Sequence, residues 1–100
     1  MLVNVVFAFD FDVLDVPCVI AKNLKKYQLQ CDKWLFDKNN NHEFWIEQDS
    51  NKKYAINTCS EAFVFYLNNY VLTDSNENAV IIEKDKRIDF LDKSLPTIYY

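Results

Sequence analysis

The chain has 100 residues, a formal charge of −4 and no glycine, and half of its residues are hydrophobic. That length suits one domain with a modest core, and the lack of glycine excludes phosphate sites built on Gly-rich turns, both the dinucleotide fingerprint and the P-loop. Arg87 is the sole arginine among 11 basic residues, so no basic stripe with arginine forks exists for DNA or RNA, and a negative chain of this kind suits a positive partner.

Residues 2–13 read as one strand. Val3, Val5, Phe7, Phe9, Phe11 and Val13 share a face at period two, while Leu2, Asn4, Val6, Ala8, Asp10 and Asp12 share the other. The second face ends in acids turned to water or to a partner. Asp15 then reads as an N-cap, with Pro17 in a first helical turn, and Val16, Ile20, Leu24, Tyr27 and Cys31 follow at helical spacing. Lys33–Asp37 and Glu43–Gln48 frame the run Lys38 to His42 as a hairpin, in which Asn supplies the positive φ that glycine would otherwise supply. A second turn, Asp49-Ser50-Asn51, leads into a strand over 52–57. Thr58-Cys59-Ser60-Glu61 is a capping box, and it opens a helical stripe of Cys59, Ala62, Phe63, Tyr66, Leu67, Tyr70 and Val71. After a polar loop from Thr73 to Asn78, Ala79–Glu83 reads as a short strand. Lys84–Lys93 fits helical and strand spacing alike, and Pro96 permits an edge strand over 97–100. The expected fold is a single α+β domain, a mostly antiparallel sheet of about five strands with two main helices packed on it.

Cys18, Cys31 and Cys59 are odd in number and widely spaced, which argues against a disulfide framework and against zinc knuckles. A reducing, cytoplasmic setting follows. The apolar start has no positive n-region and no cleavage site, and no run reaches the ~18 residues of a membrane span. The excess of Phe, Tyr, Ile, Asn and Lys over Gly, Ala, Arg and Pro matches AT-rich codons and points to an AT-rich bacterial or phage genome.

Asp10-Phe11-Asp12-Val13-Leu14, directly after an apolar strand, resembles the first motif of the haloacid dehalogenase-like phosphohydrolases. The resemblance implies a nucleophile at Asp10 and a general acid/base at Asp12, with Thr58 and Lys84 as later motifs. It covers only this short run, and the family's large parallel sheet and its late acidic motif after a glycine have no counterpart here. Asp10, Asp12 and Asp15 are also oxygen donors suited to a hard cation, but the glycine and the closing glutamate of a calcium loop are missing. His42 with a cysteine makes neither a placed nucleophilic pair nor a zinc set. The reading is therefore of a non-enzyme without metal or cofactor.

An interaction protein remains. With six Tyr, eight Phe and two Trp, the chain holds more aromatic area than one small core hides, and interfaces favour such rings as anchors. The expectation is a small acidic inhibitor that neutralises a basic protein by occlusion, such as a toxin nuclease domain held by an immunity protein of the contact-dependent-inhibition or colicin type, or by an antitoxin. Its contact residues are expected among Asp10, Asp12 and Asp15, the rings Trp34, Trp45, Tyr99 and Tyr100, and the acids Asp74, Glu77, Asp89 and Asp92. An assembly subunit or homodimer is the second reading, and the Asp10/Asp12 phosphohydrolase-like domain the third.

Overall fold

The apolar stretch at the start is two strands and not one. In the computed structural model, which describes residues 1–48, 52–56 and 59–100, β1 (Leu2–Phe7) and β2 (Asp10–Asp15) pair antiparallel with Phe7 opposite Asp10. The connecting turn is Ala8-Phe9. Its length inverts the face parity, because directly opposed residues point to the same side of a sheet. Val3, Val5 and Leu14 therefore face the helices, whereas Val6, Phe11 and Val13 face the other way. No turn dipeptide marks the reversal, so the period-two pattern runs through it unbroken.

Ala8 takes φ 54°, the sign that a type II′ turn demands of its first central residue and that glycine normally supplies. The left-handed region costs an L-residue roughly 1–2 kcal/mol. Ala8→Gly should relieve more than it adds in unfolded-chain entropy, a net gain of about 0.5–1 kcal/mol. A urea titration should show a higher midpoint with an unchanged slope. The only other positive φ among the described residues is Asp85 at 57°; the Asn-rich run Lys38 to His42, expected to carry it, does not.

The main sheet has four strands in the order β5-β2-β1-β6 and is mixed, where a mostly antiparallel sheet of about five strands was the expectation. β5 (Val80–Arg87) runs antiparallel to β2, and β6 (Thr97–Tyr99) runs parallel to β1 at the opposite edge. β3 (Trp45–Gln48) and β4 (Lys52–Ile56) form a separate two-stranded sheet. The hairpin is thus made by β3 and β4, and residues 33–35 belong to a helix. The turn expected at Asp49-Ser50-Asn51 lies outside the described residues.

Helix α1 (Cys18–Lys22) is capped by Pro17 and not by Asp15, which stays in β2. Asn23, at φ −128°, breaks α1 from α2 (Leu24–Leu35). Ile20, Leu24, Cys31 and Leu35 are buried against the sheet, so the helical stripe read from the spacing is the buried one. Helix α3 (Ser60–Tyr66) follows, with Cys59 at its N-cap; Thr58, the expected cap, lies outside the described residues. α3 runs into a π-helical turn at Leu67–Val71, closed by Leu72 N–H on the Leu67 carbonyl at 2.8 Å. The extra residue of that turn shifts the buried position from Val71 to Leu72 and leaves Tyr70 exposed.

Two cores result. The large one joins Val3, Val5, Leu14 and Ile98 of the sheet to Ile20, Leu24, Leu35, Phe63 and Leu67 of the helices. The small one, on the far face, holds Val6, Phe11 and Val13 under Ile88 and Leu91 of the 88–96 segment, which begins as a 3₁₀ turn at Ile88–Phe90.

Candidate functional site

The geometry at the site starts from Asp12. It is 4% exposed and faces the helices from β2. Its Oδ2 accepts the Ser60 hydroxyl at 2.5 Å, and its Oδ1 accepts the Asp85 backbone N–H at 2.9 Å. Asp85 sits where β5 slips register against β2, a bulge between the Phe11 and Val13 pairings, and aspartate is among the residues that tolerate its left-handed φ. One buried carboxylate thus ties the first residue of α3 to the bulge of β5.

That tie sets the neighbours Glu61 and Lys84 side by side, and they form an ion pair with both side chains 44% exposed. Around them lies an open groove of about 610 Å³, lined among the described residues by Glu43, Phe44, Cys59, Glu61, Phe65 and Lys84. A second depression of about 180 Å³ shares Cys59, Glu61 and Lys84 and adds Phe7, Asp10, Asp12 and Asp85. The two together make one surface with an aromatic floor, a rim rich in carboxylates and a single cation. The groove also borders a continuous ring cluster. Phe44 packs edge-on to Phe65 at 5.7 Å, and Phe65 stacks on Trp34 at 5.8 Å.

The residues expected to touch a partner do not converge. Asp10 is exposed and reaches this surface, whereas Asp12 is enclosed beneath it. Asp15 lies at the other end of β2, paired with the Met1 amino group at 2.8 Å, and shares a different depression with Glu77. Asp74 is exposed in the loop that precedes β5. Asp89 pairs with Arg87 at 2.7 Å. Asp92 accepts the Ser94 hydroxyl and N–H at 2.6 and 3.0 Å, bonds that hold its carboxyl below the usual carboxylate range.

Among the rings, Trp34 is half-buried against Tyr66 and Tyr70. Trp45 stacks on His42 at 5.2 Å, and its indole N–H donates to the Asn40 carbonyl at 2.7 Å. Tyr100 stacks on Phe7 at 5.2 Å, and burial pushes its hydroxyl above the ordinary tyrosine range. Tyr99 alone of these four is well exposed, at 63%. Neither strand nor helix spacing in the sequence singles out Glu43, Phe44, Glu61 or Phe65 as contact residues. A signal for the acids exists all the same: residues 54–83 carry Glu61, Asp74, Glu77 and Glu83 and no Lys or Arg.

The three cysteines stand as free thiols. Burial pushes the Cys31 thiol up to about 12, with Asp32 and Cys59 adding to the effect, so it behaves as a small apolar side chain. No group of His, Cys, Asp and Glu among the described residues is arranged to hold a metal ion, and no described helix is long and apolar enough to cross a membrane. No protein-family model, no curated protein and no solved structure matches this chain.

Proposed function

We propose that this protein is a stoichiometric binding protein that captures a basic segment of another protein in the groove beside α3, and that it neutralises its partner by occlusion in the manner of an immunity protein or antitoxin. The observation that carries this reading is the pairing of an aromatic floor, Phe44 and Phe65, with the carboxylates of Glu43, Glu61 and Asp10. An arginine or lysine of the partner would lay its aliphatic stem and charge on the rings and place its head on the carboxylates, where charge-assisted bonds are strongest.

Lys84 already occupies Glu61 in this way. A pair so exposed is worth little by itself, so an incoming guanidinium with its fixed fork can displace it. The overall charge of −4 adds steering toward a positive partner at low ionic strength. A cytosolic location belongs to the same proposal, because unbridged thiols persist there.

The test is a titration of the labelled protein with hexa-arginine, followed by amide chemical shifts at low and at physiological salt. Shifts are expected at Phe44, Cys59, Glu61, Phe65 and Lys84. The double change Glu43→Lys and Glu61→Lys should weaken binding about tenfold or more and flatten its salt dependence, while Lys84→Ala, which removes the competing cation, should strengthen it a few-fold. An unchanged affinity in a folded double variant, or shifts centred on another surface, overturns the reading.

A further inference from the structure

The segment between α2 and β3 is tied back onto the end of its helix by side chains. A helix leaves its last carbonyls without an internal donor. Asn40 Nδ2 donates to the Trp34 carbonyl at 2.9 Å, and His42 Nε2 meets the Leu35 carbonyl, also at 2.9 Å. A carbonyl only accepts, so His42 carries a proton on Nε2. Its Nδ1 accepts the Phe44 backbone N–H at 3.2 Å, and an acceptor nitrogen carries no proton. Both ring nitrogens are thus committed to backbone groups, in the bonding pattern of one neutral tautomer.

The ring itself stacks on Trp45 of β3 at 5.2 Å and tilts against Trp34 of α2 at 4.6 Å. One side chain therefore joins the end of α2 to the start of β3. Between those two points lie Glu43 and Phe44, which give the groove an acid and a ring. Phe44 reaches Phe65 edge-on from there. The bond from its N–H to Nδ1 spans two residues, the reach of an Asx turn.

We propose that His42 is the positioning residue of the groove and makes it sensitive to pH. A proton taken from solvent onto Nδ1 removes the acceptor of the Phe44 N–H and sets one N–H against another. Glu43 and Phe44 then lose the place in which they meet a basic segment. The inference rests on the groove reading for what is bound, and on the bonding of His42 alone for how Phe44 is held. Histidine ordinarily changes charge between about pH 5 and 8, so binding weakens as the pH falls through that interval. The charged residues on the elements around the ring are Asp32 and Lys33 of α2, Glu47 of β3, and Asp37, Lys38 and Glu43 of its own segment. His42→Asn leaves all of these in place. Asparagine accepts an N–H two residues on and takes up no proton.

In the free protein, long-range proton–nitrogen spectra of the ring at about pH 7.5 should show a proton on Nε2 and none on Nδ1. As the ring takes up its second proton, the exchange protection of the Phe44 amide, corrected for intrinsic rate, should fall about fivefold. In His42→Asn that protection should not change. Between about pH 7.5 and about pH 5.5, wild-type affinity for hexa-arginine should fall about fivefold. His42→Asn should bind within about threefold of wild type at the higher pH and show no such fall. His42→Ala, which has no acceptor, should bind about fivefold more weakly at both. A proton on Nδ1 at the higher pH, or Phe44 protection indifferent to the ring, overturns the proposal, as does an equal fall in affinity in wild type and His42→Asn. If hexa-arginine binds nowhere on the protein, the groove reading fails by itself, and the free-protein measurements still decide what His42 holds. They decide it equally if the variants do not fold.

Discussion

Asp12→Ala is expected to cost about 3–5 kcal/mol of folding stability, which is the magnitude seen when one partner of a buried charged network is removed. Two donors lose their acceptor at once, the Ser60 hydroxyl at 2.5 Å and the Asp85 N–H at 2.9 Å. Ser60 is fully buried, so water cannot replace the carboxylate there. For a chain of this size the loss is a large part of a total of about 5–15 kcal/mol. Asp12→Asn keeps an oxygen for the Asp85 N–H, and the Ser60 hydroxyl can rotate to accept from the new amide, so about 1–2 kcal/mol is expected. Asp10→Ala, on the same strand but exposed, should stay within about 0.5 kcal/mol. Urea unfolding of the three variants gives the ranking, and an Asp12→Ala protein as stable as Asp10→Ala would remove the tie from the account. Because Glu61 follows Ser60 and Lys84 precedes Asp85, the Asn variant should also loosen the groove and weaken hexa-arginine binding more than its stability loss suggests.

The helical elements were legible from spacing wherever burial keeps one period, which in the second stretch holds only to Leu67, where the π-helical turn begins. Ile20, Leu24 and Cys31 form the expected stripe and are buried, even though Asn23 breaks the helix between them. The strand pattern misled for an equally specific reason. Periodicity of two reports alternation and is blind to a reversal of direction, and the Ala8-Phe9 turn has none of the Asn, Asp or Gly that marks a hairpin. A chain without glycine must place positive φ on residues that carry a Cβ, and Ala8, unlike Asp85, belongs to a type that gives no signal of it. The same blindness hid the site. Asp12 looks like an exposed strand end in the sequence, but the bulge at Asp85 folds β5 over it. Glu61 and Lys84 are far apart in the chain and meet through that long-range pairing, while Glu43 comes to them beside Phe44, which packs on Phe65; no local pattern encodes either contact. The edge strand after Pro96 was readable, since proline allows little else, yet its parallel pairing with β1 was not.

Phe63→Ala is expected to cost about 3–5 kcal/mol, the range for removing a fully buried aromatic ring. Phe63 is 0% exposed and lies in the large core with Val5, Leu14 and Leu67, so truncation leaves a cavity that the tightly packed sheet cannot close. The control is Phe65, two residues on and 36% exposed over the groove. Phe65→Ala should cost under about 1.5 kcal/mol through its ring contacts and should instead lower affinity for hexa-arginine. The pair separates scaffold from surface on one helix: the first change should act on the unfolding midpoint, the second mainly on binding. If both variants unfold at the same denaturant concentration, the facing of α3 is wrong, and the aromatic floor assigned to the groove is lost with it.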